Sequence, residues 1–399
     1  MTTPRRILFL SAYTGLGGGE TALVGLLSAL DRTRLRAALL TPREGPLGEA
    51  ARGLGIETHV VPYRGASVWY VPAVWARLPA TTALAEHIRS AAPDLVDTDF
   101  HSLPFAAPAC RGAGVPLVFT CWGWWFRPRP WQRQVYRRGV DAILACSEAI
   151  KRGFLGAPPF MAPERVRVMY PGVDPAVFRP RPGEIESLRR ALDLPARGPL
   201  VTMLARFQHV KGHDVFLEAA RIIASRAPEV TFVMAGENVF GGARESAYKH
   251  RILSTVAADP VLRSRVRWLG WVPASERLLA ASDVLVCSSR FESVGMVPVE
   301  AMSCGVPVVS TNVGGPAETI VDGVTGFLVP PERPDEIAGR VMTLLSNPEQ
   351  RRIMGEHGRA RVVESFTLTR YASAFQDVVS EVLARRANGL SARTGEVLP

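Results

Sequence analysis

No apolar run in these 399 residues reaches the ~18 residues that a membrane span needs. The stretch nearest the start, Ile7 to Leu10, is too short for a secretory signal and reads as a first strand. Cysteine is sparse. The five residues (Cys110, Cys121, Cys146, Cys287 and Cys304) are scattered, with no CxxC or zinc spacing. That excludes a disulfide scaffold and points to a reducing cytoplasm with free thiols. No helix-turn-helix, RRM or zinc-finger pattern accompanies the net charge of +10, so nucleic acid is not the expected partner. Lysine is nearly missing too: only Lys151, Lys211 and Lys249 stand among the 47 cationic residues. Apolar material is plentiful, at 47% hydrophobic against 21% charged, which excludes global disorder. At roughly 100–200 residues per domain, the length predicts two domains.

The charge is uneven. Residues 1–180 carry 21 Lys+Arg and 13 Asp+Glu, a net +8, whereas residues 181–399 carry 26 and 24, a net +2. The basic first half suits an anionic substrate or an anionic membrane surface.

Short β-rich apolar runs alternate with segments of helical period. Strands are expected at 6–10, 37–41, 58–62, 94–98, 117–121, 142–146 and 166–169, with helices such as 21–30 and 74–91 between them. A punctuated stretch from Pro171-Gly172 to Pro182-Gly183 suits a linker. The pattern then restarts with strands at 200–204, 231–235, 266–269, 284–287, 308–310 and 326–329. In 213–226, Val215, Phe216, Ala219, Ile222 and Ile223 share one helical face. Helices are expected at 334–345, 348–364 and 368–386, then a frayed tail beyond Asn388. The fold class is therefore α/β: two doubly wound, Rossmann-like domains, with ligand expected in the cleft between them.

Four segments carry chemistry. Gly15-Leu16-Gly17-Gly18-Gly19-Glu20 follows the first strand and opens a helix, a place where backbone can approach a phosphate. A dinucleotide fingerprint needs glycine where Glu20 stands, which disfavours a dehydrogenase. Arg206 and Lys211 follow the first strand of the second half, where a fork and a point charge both suit phosphate oxygens. Glu292 and Glu300 stand eight positions apart across a small-residue turn. If all of it were helical they would be ~12 Å apart, too far to grip one bond. That spacing suits an extended ligand held at two points, with backbone N–H groups of Ser293, Val294, Gly295, Met296 and Val297 facing a phosphate between. Asp97-Thr98-Asp99 has an Asp-x-Asp look, but no further acidic ligand lies nearby and no metal is expected. His101 stands at the same strand end.

These motifs, in this order, resemble the family-4 retaining glycosyltransferases of GT-B fold over about residues 6–385, most strongly over 199–330. Gly17-Gly18-Gly19-Glu20 is similar to the family's early Gly-Gly-x-Glu loop, and Arg206 and Lys211 to its Arg-x4-Lys clamp. Glu292 and Glu300 are similar to the ends of its Glu-x7-Glu motif. Pro171-Gly172-Val173-Asp174 resembles its interdomain signature, and Gly314-Gly315, Glu318, Asp322-Gly323 and Thr325-Gly326 its ending.

The resemblance implies a nucleotide-diphosphate sugar as co-substrate, with no other cofactor and no metal. It implies that Glu292, Arg206 and Lys211 are catalytic, that Gly17, Gly18 and Gly19 lie on the donor side, that Glu300 binds ribose, and that backbone near Trp271-Val272 lines the base. It implies an N-terminal acceptor domain over 1–180, a donor domain over 181–366, and a helix at about 367–387 packed back on the first domain. Residues 388–399 are expected to form a flexible tail. Trp122 stands where the family often has histidine, and Asp99 and His101 lie on the same acceptor side. The expected activity is sugar transfer in glycolipid, capsular or other cell-surface glycan synthesis. The alternatives are a soluble enzyme acting on a small molecule and a nucleotide-sugar-binding protein without transfer.

One stretch falls outside this scheme. Residues 121–139 hold Trp122, Trp124, Trp125, Phe126, Trp131 and Tyr136 among Arg127, Arg129, Arg133, Arg137 and Arg138. Tryptophan among arginines predicts peripheral docking on the anionic inner face of a membrane, offering the site to a lipid-linked acceptor.

Overall fold

The computed structural model describes residues 3–63, 79–123, 128–238 and 242–389. The chain divides into two compact units. One is Met1–Gly172 with the chain from Leu368 onward, and the other is Val173–Thr367.

The first unit is built on strands β1 (Arg5–Leu10), β2 (Leu35–Thr41), β3 (Glu57–Val60), β4 (Leu95–Thr98), β5 (Leu117–Cys121), β6 (Ala142–Ala145) and β7 (Val166–Val168). They pair in parallel in the order β3-β2-β1-β4-β5-β6-β7. Central strands β4 and β5 are buried at every residue, as a sheet covered on both faces requires. Edge strand β3 stops before Pro62, which has no N–H to offer a ladder. The helix expected from residue 21 begins at Gly18. Gly17 is its N-cap, and the Glu20 carboxylate accepts the Gly17 N–H at 3.0 Å.

The second unit carries β8 (Leu200–Leu204), β9 (Thr231–Ala235), β10 (Val266–Trp268), β11 (Val284–Cys287), β12 (Val308–Thr311) and β13 (Gly326–Val329). They too are parallel, in the order β10-β9-β8-β11-β12-β13. Both units are therefore doubly wound α/β sheets. Strand order reverses between β1 and β4 in one and between β8 and β11 in the other, and a loop pair at such a reversal splays apart to make a ligand crevice.

The boundary between the units falls at Gly172, ahead of the expected residue 180. Residues 173–178 are tied to the second unit: Val173 N–H donates to Phe366 O at 2.9 Å, and Ser303 Oγ donates to Phe178 O at 2.7 Å. The last helix, Leu368–Ala387, belongs to the first unit. Its buried Tyr371, Ala372, Phe375, Val378, Val379 and Val382 recur at helical spacing, and Phe375 stacks on Phe9 of β1 at 5.4 Å. Of the helix expected at 74–91, Pro79–Ala91 is helical and residues 74–78 lie outside the described residues. Residues 390–399 of the expected tail lie outside them as well. Among the described residues, no helix is long and apolar enough to cross a membrane.

Candidate functional site

In the second unit the chemistry gathers at the carboxyl ends of β8 and β11. Beyond β8 the chain passes Arg206, makes a 3-10 turn over His209–Lys211, and enters the helix His213–Ala224 through Gly212. Beyond β11 come Ser288, Ser289, Arg290 and Glu292. Lys211 Nζ donates to Glu292 Oε1 at 2.7 Å, with the two side chains 17% and 13% exposed. Ser289 Oγ donates to the same oxygen at 2.7 Å. A cation and a hydroxyl thus fix one carboxylate, in surroundings where water screens them little.

The two loops are stitched together by one backbone and one side-chain hydrogen bond. Arg290 N–H donates to Val210 O at 2.7 Å, and Ser288 Oγ donates to Gly212 O at 2.8 Å. Position 212 admits only glycine: its φ is +68°, and a β-carbon would run into the carbonyl of Ser288. Arg206 stands half-buried on the same β8 loop.

The glutamate pair is not carried on one helix. Helix Met296–Ser303 starts after Gly295, so Glu292 lies in the preceding loop and Glu300 inside the helix. Ser293, Val294 and Gly295 form the turn between them, and Met296 and Val297 open the helix, whose first N–H groups have no intrahelical acceptor. Desolvation, aided by the nearby Glu276 charge, pushes the Glu300 carboxyl up to about 7.

Beyond β9 and β10, the Lys249 ammonium bridges both oxygens of Glu237 at 2.8 and 2.6 Å and lies 4.4 Å over the Trp268 ring. Trp271, just past β10, is 59% exposed, while Val272 packs against the cluster of Leu194 and Leu200.

In the first unit, Gly17, Gly18 and Gly19 form the start of the helix after β1. The Trp122 ring packs over Gly19, where a β-carbon would lie 3.3 Å from it, whereas Gly18 faces open space. A loop residue expected on the donor side and a tryptophan expected on the acceptor side therefore meet. The Asp99 carboxylate accepts the N–H of Ala12 at 3.0 Å and of Ser102 at 2.6 Å, tying the ends of β1 and β4 together. His101 is half-buried, edge-on to Phe100 at 5.3 Å. Asp97 is buried, accepts from Thr120 Oγ1 at 2.8 Å, and is pushed by desolvation up to about 8, so it holds its proton at neutral pH. Among the described residues, no group of three or more His, Cys, Asp or Glu side chains is placed to hold a metal ion.

The tryptophan–arginine stretch is described in part, since residues 124–127 lie outside the described residues. Helix Pro130–Gly139 buries Tyr136 against Phe119 and Phe154. Two of its arginines are held by Phe160: Arg133 lies 5.4 Å over its ring, and Arg137 Nε donates to its carbonyl at 2.8 Å.

Residues 184–361 match the family described as Glycosyl transferases group 1, and residues 16–177 match Glycosyltransferase Family 4. A D-inositol 3-phosphate glycosyltransferase of Thermobifida fusca is 32% identical over 302 residues, which span 69% of this chain and 67% of that protein. The chain belongs to the group 1 and family 4 glycosyltransferases.

The alpha-maltose-1-phosphate synthase of Mycolicibacterium smegmatis is 29% identical to this glycosyltransferase over 294 residues, covering 68% of the chain and 74% of the synthase. Other D-inositol 3-phosphate glycosyltransferases match over about half their length, such as 53% of the Rhodococcus jostii protein. Among solved structures, the Anabaena protein HepE in complex with UDP-glucose aligns with a TM-score of 0.80 at 24% identity, covering 94% of this chain and 99% of that one. That likeness establishes the GT-B fold. Reasoning from sequence missed Ser289, Arg290 and Asp214 in this glycosyltransferase. The signal available was position: Ser288-Ser289-Arg290 directly follows a switch-point strand, and Asp214 lies three residues past Lys211.

Proposed function

We propose that this glycosyltransferase moves a sugar from a nucleotide-diphosphate sugar to a phosphorylated small polyol or sugar, with retention of configuration and without a metal. The observation that carries the reading is the Lys211–Glu292 pair at the β8/β11 switch point. In this reading the second unit holds the donor. Arg206 and Lys211 neutralise the diphosphate as it departs, and electrostatic stabilisation of that leaving group is the main catalytic term. Glu292, pinned by Lys211 and Ser289, holds hydroxyls of the transferring sugar. The helix that starts at Met296 turns its N–H groups toward phosphate, and the backbone at Trp271-Val272 lines the base. The first unit takes the acceptor near Trp122. A phosphorylated acceptor is supported by the names of the relatives and by the basic first half.

The test begins with thermal shift against UDP-, GDP- and ADP-glucose, because a ligand at ~100 times its Kd stabilises by about 2.7 kcal/mol. The stabilising donor is then incubated with D-inositol 3-phosphate or glucose 1-phosphate in EDTA. Mass spectrometry reads the product and NMR its anomeric configuration. No stabilisation by any of the three nucleotides would sink the reading.

A lipid-linked or other cell-surface glycan acceptor is the second reading, favoured by the exposed Arg129, which caps the helix Pro130–Gly139, and Arg138 within it. Flotation with anionic vesicles at low and high salt separates the two.

Glu300 supplies a pH prediction. As a carboxylate it accepts ribose hydroxyls, and with its ordinary value raised to about 7 it is partly neutral at physiological pH. Binding that prefers the ionised form releases a proton, so nucleotide affinity should rise with pH and level off above about pH 8. Glu300→Gln should flatten the part of that rise that the nucleotide's own phosphate does not account for. Calorimetric titrations from about pH 6 to about pH 8 on both proteins check this. Parallel curves would remove Glu300 from the ribose.

A further inference from the structure

One guanidinium, on the loop that carries Glu292, reaches the turn before Lys211, the first turn of the helix after it and the chain beyond β13. Arg290 Nη1 donates to His209 O at 2.6 Å and to Asp214 Oδ1 at 3.0 Å, and Nη2 donates to Asp214 Oδ2 at 2.8 Å. The same Nη2 donates to Glu332 Oε2 at 3.1 Å, and Nε pairs with the other oxygen of Glu332. His209 lies two residues before Lys211 and Asp214 three after it, while Arg290 itself stands two residues before Glu292. Glu332 follows β13 with a φ of +60°, a backbone that side-chain-bearing residues rarely adopt, at the point where its carboxylate meets Arg290.

Asp214 is a firm anchor for this fork. Burial would raise its carboxyl, but hydrogen bonds from Arg290 and Tyr248 and the guanidinium charge outweigh burial and hold it at about 2. It stays ionised across any working pH.

We propose that Arg290 is a positioning residue of the donor site: through Asp214, the His209 carbonyl and Glu332 it sets the separation of the Lys211 loop from the Glu292 loop. The inference rests on the reading of Lys211 and Glu292 as donor contacts. A planar fork with five N–H groups can hold a carboxylate, a carbonyl and a second carboxylate at once, whereas an ammonium cannot keep that geometry. Arg290 touches no reacting atom in this account. Its effect appears where the diphosphate has to be gripped by Lys211 and Arg206 together.

The experiment measures binding of UDP and UMP, GDP and GMP, and ADP and AMP by calorimetry to the wild-type chain and to Arg290→Lys, Arg290→Gln, Asp214→Asn and Lys211→Ala. Thermal melting is followed in parallel. Arg290→Lys and Arg290→Gln are expected to lose about tenfold or more in diphosphate affinity and about threefold or less in monophosphate affinity. A merely structural residue would lower the melting temperature and weaken both ligands equally, or neither. If the Arg290 variants do not fold, Asp214→Asn carries the test, with the same selective loss expected. Selective loss in Lys211→Ala, with wild-type selectivity in the Arg290 and Asp214 variants, overturns this inference alone. Retained diphosphate affinity in Lys211→Ala overturns the donor-site reading itself.

Discussion

Lys211→Met is expected to lower turnover by about 10²–10³-fold, the usual loss when one preorganised charge that stabilises a transition state is removed. The expectation follows from the position of Nζ, 2.7 Å from Glu292 Oε1 in a largely buried setting. There the ammonium neutralises the glutamate in the resting enzyme and is in place for the charge that grows on a departing diphosphate. Stability and activity should separate. Lys211→Met leaves the Glu292 carboxylate without its cation and should destabilise the second unit, and Glu292→Gln leaves an uncompensated ammonium and should do the same. The double variant Lys211→Met/Glu292→Gln removes both charges and should recover most of the melting temperature, but not the activity. Calorimetric melting with initial rates on all four proteins checks this. Turnover within about threefold of wild type in Lys211→Met would remove this lysine from the catalytic step, whatever the melting curves show.

Much of this arrangement can be read before any coordinates. Strands β5, β8, β9, β11 and β13 occupy the residues their apolar runs predict, because a strand buried on both faces leaves an uninterrupted signature. Arg206, Lys211 and Glu292 stand out as candidates because each follows such a strand, and strand ends at the order reversal of a doubly wound sheet are where ligands bind. Their spatial pairing is less legible. Lys211 and Glu292 are 81 positions apart and meet only because β8 and β11 are neighbours, a fact of strand order that local patterning does not contain. The position of Arg290 after a switch-point strand is legible, but its positioning role is not, for a related reason. Among 44 arginines, one beside a strand end looks like any solvated cation until its partners His209, Asp214 and Glu332 are seen to come from the turn beyond β8, the helix that follows it and the chain beyond β13.

The division of the chain was displaced for a different physical reason. Proline and glycine density marks where a linker is permitted, but hydrogen bonds decide where it is. Val173 and Phe178 are claimed by Phe366 and Ser303, so the crossing lies at the early edge of the punctuated stretch. The Glu292–Glu300 segment shows the same limit. Sequence spacing gives a separation only if the conformation is known, and the turn at Gly295 makes an all-helical distance inapplicable.

Gly314→Ala should be the most damaging single-methyl change in the second unit. Gly314 has a φ of +66°, and a β-carbon there would fall inside the Glu292 carbonyl oxygen and 3.3 Å from the Phe291 ring. The next residue, Gly315, donates its N–H to that same carbonyl at 3.0 Å. The glycine pair therefore forms the floor on which the Glu292 loop rests, and a methyl group displaces the loop that presents the carboxylate. Two costs are mixed in such a variant: left-handed backbone, about 1–2 kcal/mol for a residue with a β-carbon, and the clash itself. Gly323 separates them. Its φ is +73°, yet a β-carbon would meet nothing within 4 Å. Gly323→Ala should therefore lower the melting temperature by roughly 2–8 °C and leave turnover unchanged. Gly314→Ala should lower it further and reduce turnover by about 10²-fold, because a shift of ~1 Å at a catalytic group costs that much. Equal losses of stability and rate in the two variants would mean that the glycine pair serves only its own backbone conformation and does not support Glu292.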